Sequence, residues 1–218
     1  AVNTSSDETL PAEPLVYSRG KTGTQFSTRI DDSSVVIGIR QKTADKFEAL
    51  YSQAEKKFLL EWYRNPADLA NPVASELYFK GFNTPSLGDE SYQALPYVSY
   101  FTFTDKLSDL DGFDFNNEYE DPNDENKLIT TSLKGSLAII DILAFCLNKL
   151  GLDKGIRVGV NIFASTFDQA LTDDPFLQTF VNVNTYYPGG AALTCKEVIE
   201  RILMPFQATL FSWGGYYY

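Results

Sequence analysis

The chain has 218 residues, 44% apolar and 14% aromatic, enough to fill a real core in one large domain or two small ones. Its 18 basic and 29 acidic residues leave a formal charge of -11, which repels phosphate backbones and excludes tight, salt-dependent nucleic-acid binding, though not the transient passage of DNA. Histidine is absent, which removes imidazole acid–base chemistry, Ser–His and Cys–His nucleophile pairs and histidine zinc sites, so any catalysis would rest on carboxylates, Lys or Tyr.

No stretch reaches about 18 unbroken apolar residues, so no membrane span is expected, and no charged-then-apolar leader opens the chain. The first residue is Ala1, which points to a processed or trimmed product. Residues 1–30 are rich in Ser, Thr, Pro and charge with little periodicity, and predict an extended arm. In SSVVIGIRQK, Val35, Ile37 and Ile39 alternate against Val36, Gly38 and Arg40, as a half-buried strand requires. FEALYS and KKFLLEWYRN read as strands in the same style, PADLANPVA as a loop, and SELYFKGFNTP as a strand bulged at Gly81 and ended by Pro85. Tyr97–Thr104 (YVSYFTFT) is dense in β-branched and aromatic residues and predicts a central strand. Asp105 follows as an N-cap, Leu107 and Leu110 share one face of a short turn, Gly112 ends it in a left-handed conformation, and Phe113 and Phe115 pin the exit.

The acidic stretch NNEYEDPNDENK, residues 116–127, reads as a mobile surface loop. A long buried helix is predicted from about Ser132 to Leu150, capped by Thr131 or Ser132, carrying Leu133, Leu137, Ile140, Ala144, Leu147 and Leu150 on one face, and stopped at Gly151. IRVGVNIFAS reads as a strand. Between Phe167 and Tyr187 either a short helix opened by Asp174 and Pro175 at FLQTF or an extended run fits, and the helix is preferred. Thr194 and Glu197 form a capping box for CKEVIERILM, with Val198, Ile199, Ile202 and Leu203 on its apolar face. FQATLFSW alternates as a strand, and Gly214–Gly215 predicts a hairpin turn into Tyr216–Tyr218, a return strand so short that the natural chain is expected to continue. The fold class is therefore α+β: an arm at 1–30, a mainly β domain at 31–115, sheet or antiparallel β-barrel-like, and an α+β domain at 116–218 with helix, strand, helix and hairpin.

Few motifs carry chemistry. Aligning Gly112 with the loop glycine of an EF-hand places Asp109, Asp111 and Glu118 at ligand positions, but Leu107 would occupy the first, so a capped turn is the better reading. The run Glu118, Glu120, Asp121, Asp124 and Glu125 reads as a solvated loop, or else as a patch facing a partner or a lumen. No pair of carboxylates stands out as glycosidase-like. G-x-G fragments such as that at Gly23 lack a strand–turn–helix context and are turn glycines. Cys146 and Cys195 lie in apolar helical patterns and read as reduced, packed thiols, with a disulfide between them left open. Trp62, Tyr63, Tyr78, Phe79, Trp213 and Tyr216–Tyr218 are candidates for a sugar-stacking platform, against the commoner role of strand aromatics in a core or interface. No catalytic, cofactor-binding or metal-binding residue is assigned.

The order SSVVIGI, KKFLLEWYRN, LYFKGFNTP, YVSYFTFTDKLSDLDGFDF, SLAIIDILAFCLNKLGL, IRVGVNIF and TCKEVIERILMPFQATLFSWGGYYY resembles the central hub, or tail-tip, proteins of tailed bacteriophages and prophages of Bacteroidetes type, over roughly residues 25–218. The likeness is one of segment order, without a catalytic signature, and Lys106 replaces the family's usual turn glycine. It implies a structural, non-enzymatic virion protein, made in the bacterial cytoplasm, with other tail proteins as partners. It also implies a ring, trimeric in the full-length protein, through which DNA passes. The alternative is a secreted or surface glycan-binding module of a Bacteroidetes cell, to which the Ser/Thr-rich start and the aromatic strands point.

Overall fold

The computed structural model describes residues 15–20, 29–42, 48–51, 57–64, 67–68, 70–73, 76–85, 95–121, 124–159 and 174–218. It is a mixed α+β structure built on an eight-stranded sheet, with no closed barrel among the described residues. The strand of greatest consequence is β2 (Ile30–Gln41), which pairs along its length with β5 (Tyr97–Thr104) in the register Val35↔Phe103, Ile37↔Phe101 and Ile39↔Ser99. That register puts one face of both strands into a cluster of Val35, Ile39, Phe79, Phe101 and Phe103, while Tyr100 points outward. The predicted central strand is thus observed with the predicted bounds.

Outward from β5 lie β4 (Leu77–Asn83) and then β3 (Leu59–Tyr63) at the sheet's edge. Gly81 is not a bulge: the register shift falls between Trp62 and Tyr63. Gly81 serves close approach instead, since an added Cβ would overlap the Thr104 carbonyl oxygen and lie 2.6 Å from the Phe79 ring. Because the obstacle includes backbone, Gly81→Ala is expected to cost about 1–3 kcal/mol by overpacking, read as a lowered urea midpoint at unchanged slope.

On its other side β2 pairs antiparallel with β1 (Leu15–Gly20), so residues 15–20 of the expected extended arm are a strand, and the rest of the arm up to residue 28 lies outside the described residues. The same strand begins in parallel with β11 (Leu210–Trp213), which turns at Gly214–Gly215, both at positive φ, into β12 (Tyr216–Tyr217). β12 in turn pairs in parallel with β9 (Gly155–Ile156). The C-terminal hairpin is therefore part of the sheet that starts near the N-terminus. The Gly214 amide also donates to the Tyr78 carbonyl at 3.2 Å, so the turn touches β4.

Several local expectations are corrected. The described residues of FEALYS, Glu48–Tyr51, are a 3-10 turn rather than a strand. In the turn Leu107–Gly112 the left-handed residue is Lys106 (φ 64), at its start, and not Gly112. The acidic stretch is no loop but an antiparallel hairpin, β6 (Asn116–Asp121) and β7 (Asp124–Ser132). The helix starts seven residues later than expected, as α1 (Ile139–Asn148), because Gly135 (φ 90) breaks the chain and β8 (Ser136–Ala138) pairs with β10 (Phe180–Asn182). Neither Thr131 nor Ser132 caps it, and the Ile139 amide is met by the Thr179 carbonyl at 2.9 Å. Of the described residues of IRVGVNIFAS, 156–159, Ile156 alone is in a strand, at the end of β9, and the rest of the segment lies outside the described residues.

Other expectations hold. Gly151 follows α1 with φ 76. Asp174 accepts from the Phe176 amide to cap α2 (Pro175–Gln178), and Thr194 with Glu197 forms both bonds of a capping box on α3 (Cys195–Leu203). The α3 stripe is buried as expected, but the buried face of α1 is not the predicted one: Ile139, Ile142, Leu143, Cys146 and Leu147 face Val198, Ile199, Ile202 and Leu203 in a second core that also holds Leu107, Leu110 and Phe115, while Leu133, Leu137, Ile140 and Ala144 of the predicted stripe are only partly buried.

Candidate functional site

The two cores meet at a group of buried polar side chains drawn from the strands that join them. Ser33 of β2, Asp105 at the end of β5, Lys154 before β9, Ser212 of β11 and Tyr217 of β12 are all buried. Both oxygens of Asp105 accept hydrogen bonds: Oδ2 from the Ser33 amide (2.9 Å) and hydroxyl (2.6 Å), Oδ1 from the Leu107 amide (3.1 Å). Asp105 is not the cap expected from the sequence: Lys106 occupies the cap position with no side-chain capping bond, and Asp105, one residue earlier, accepts from the Leu107 amide and fixes β2 against β5. Lys154 Nζ donates to Ser212 Oγ at 2.7 Å and lies 5.0 Å from the centre of the Tyr217 ring.

Burial pushes the Asp105 carboxyl up to about 6, against the opposing hydrogen bonds from Ser33 and the charge of Lys154. Burial likewise lowers the Lys154 amine to about 8, with Asp105 opposing the shift. The Tyr217 hydroxyl is raised, again chiefly by burial, and has no hydrogen-bond partner among the described residues. A lysine 2.7 Å from a serine hydroxyl has the chemistry of a Ser–Lys nucleophile pair. Here both groups are buried, and neither lines the apolar cavity formed among the described residues beside α1, so the cluster fastens strands together.

That cavity, about 310 Å³, is bounded by Leu143, Leu147, Phe176, Leu203, Phe211 and Tyr218 among others. Gly159 also lines it, and the following residues, 160–173, lie outside the described residues.

The aromatic residues singled out from the sequence divide. Trp62, Tyr78 and Trp213 come together, with ring centres 4.6 Å apart for Trp62–Tyr78 and 4.4 Å for Tyr78–Trp213, both edge-to-face. Tyr17, in the stretch read as an arm, joins them at 5.8 Å from Tyr78 and 6.0 Å from Trp213. Phe79 is core, Tyr63 turns to Glu61 (3.0 Å), and Tyr218 stacks on Phe211 with an interplanar angle of 12°. The Arg157 guanidinium lies 3.7 Å from the Tyr216 ring centre.

The carboxylates of the calcium alignment are held apart by three different lysines: Asp109 by Lys106 (3.1 Å), Asp111 by Lys196 (3.7 Å) and Glu118 by Lys149 (3.2 Å). No cluster of three metal-ligating side chains occurs among the described residues. Asp109→Asn and Glu118→Gln are therefore expected to leave the melting temperature unchanged with or without millimolar calcium. A calcium-dependent rise abolished by either substitution would refute this. The side chains of Glu120, Asp121, Asp124 and Glu125, and the turn at Gly23, lie outside what is described.

Ser33, Lys154 and Ser212 were not singled out from the sequence, and Tyr217 was singled out only as part of a sugar-stacking platform, whereas it is buried in this cluster. Ser33 and Ser212 carried a faint signal, as polar residues at inward phases of apolar strands, whereas nothing around Lys154 marked it as buried. No helix among the described residues is long and apolar enough to cross a membrane. No protein-family model, no curated protein and no solved structure matches the chain.

Proposed function

We propose that the chain is a structural component of a phage or prophage tail tip, a hub protein that assembles with copies of itself and with other tail proteins. The observation that carries this reading is the combination of a sheet edge at β3, unpaired on its outer side among the described residues, with large apolar side chains left at the surface. Leu59 on β3 is 46% exposed, Phe180 on β10 65% and Met204 after α3 60%. Unpaired strand edges and exposed apolar groups are surfaces that assembly covers. The segment order supports the same reading, and the acidic charge suits a channel that must release DNA. Immunogold labelling and mass spectrometry of particles induced from the source cells test it. The chain is expected at the tail tip, and its presence on the cell envelope but not in particles would overturn the reading.

A second reading, a glycan-binding module, is favoured by the Tyr17–Trp62–Tyr78–Trp213 cluster, of which Trp213 is 38% exposed. A glycan array separates the two. Saturable binding to a defined sugar, lost in Trp213→Ala, would favour the module.

A further inference from the structure

We propose that Cys146 and Cys195 form a reversible dithiol, which a peroxide converts to a disulfide that ties α1 to α3. Both thiols are buried and unbridged in the second core, one from each of the two helices that face each other there. Within that core the two thiols are close enough for each to shift the other's titration. Their surroundings are unequal. Cys195 is the first residue of α3, where the helix dipole favours a thiolate, and its Sγ lies 3.7 Å from the Asp114 carbonyl oxygen. That same oxygen accepts from Lys149 Nζ at 2.8 Å, which sets an ammonium beside the thiol. The Cys195 thiol is accordingly held below its ordinary value, first by the neighbouring Cys146 thiol, against the effect of burial, and then by Lys149. Cys146 is held above it, first by Cys195 and then by burial. One thiol is thus disposed to attack and its neighbour to resolve.

Cys195 is itself fully buried, its neighbour Asp114 is exposed, and the Lys149–Glu118 ion pair (3.2 Å) beside it is partly exposed, so hydrogen peroxide is the small oxidant for the test. The Cys195 thiolate attacks one peroxide oxygen, the O–O bond breaks, and hydroxide leaves, giving a sulfenic acid. Cys146 sulfur then attacks the Cys195 sulfur, the S–OH bond breaks, and the Cys146 proton departs with the hydroxyl as water. Two thiols lose two electrons and one peroxide gains them. The inference is independent of whether the chain is a tail-tip component or a surface module.

The test is to treat the reduced, folded protein with hydrogen peroxide, quench, and count thiols by maleimide labelling after unfolding, alongside a non-reducing peptide map. The expected result is that both thiols disappear together, a Cys146–Cys195 cross-linked peptide appears, and the melting temperature rises by about 5–10 °C until dithiothreitol reverses it. In Cys146→Ser the same treatment is expected to carry Cys195 on to sulfinic acid with no gain in melting temperature. Should that variant fail to fold, the wild-type peptide map still decides. Cys195 recovered as sulfinic acid beside a free Cys146 in the wild type would overturn the proposal. So would two free thiols at peroxide doses that oxidise the urea-unfolded chain.

Discussion

Replacing Asp105 by alanine is expected to remove about 3–5 kcal/mol of folding stability, because the substitution strands three buried donors and leaves the Lys154 ammonium without its compensating charge. The donors are the Ser33 amide and hydroxyl and the Leu107 amide, and they tie the end of β5 to β2 and to the turn that leads into the second core. Asp105→Asn should cost less, since the amide oxygen still accepts from one side, but its NH₂ then faces donors. A urea midpoint for Asp105→Ala within error of wild type would refute the assignment of this cluster as a fastening.

The same pair sets a pH signature. The folded Asp105 carboxyl, raised from 3.8 to about 6, binds its proton more tightly than in the unfolded chain. Its contribution to stability is therefore fully present below 3.8 and lost as pH rises through about 6. Lys154, lowered from 10.5 to about 8, behaves oppositely: its contribution is present above 10.5 and lost as pH falls through about 8. Between the two values both groups are charged and buried, so stability should pass through a local minimum there. Asp105→Ala should lose the acid-side rise between about pH 4 and pH 6, and denaturant midpoints across that range check it. Wild-type and variant profiles that run parallel would contradict the account.

How far the fold could be read from the sequence depended on whether local and long-range forces agreed. Tyr97–Thr104 was legible because its β propensity and its buried alternation coincide, and α3 because Thr194, Glu197 and the Val198–Ile199–Ile202–Leu203 stripe all specify the same helix. The α1 boundary was not legible, since Leu133 and Leu137 continue the helical spacing while Gly135 and the pairing of β8 with β10, 42 residues apart at Ala138↔Phe180 and 46 at Ser136↔Asn182, override it. The acidic hairpin was hidden by composition: Asn, Asp and Glu disfavour strands locally, and the backbone ladder of β6 with β7 forms nonetheless. Likewise the parallel contact of β2 with β11 joins Ile30 to Leu210, a separation that no periodicity encodes, and with it came the burial of Lys154 and Ser212. The aromatic cluster was half visible, for Tyr17 entered it from a segment whose composition spoke for disorder.

Truncating the second core gives the other large effect. Leu147→Ala is expected to cost about 2–5 kcal/mol, and Leu143→Ala a similar amount, as large-to-small changes at buried helix positions do. Both side chains are almost fully buried, and both already border the cavity of about 310 Å³ beside Phe176 and Leu203. Existing space on one side means that each leucine has fewer contacts to lose there, while the rigid pairing of α1 with α3 limits collapse into the gap. The two substitutions share that space, so their effects should not add: the double variant is expected to deviate from the sum by about 0.5 kcal/mol or more. Urea midpoints measured for both single variants and the double variant provide the check. Midpoints unmoved by either single change would mean that α1 is not the core helix, and strict additivity would mean that the cavity does not couple the two sites.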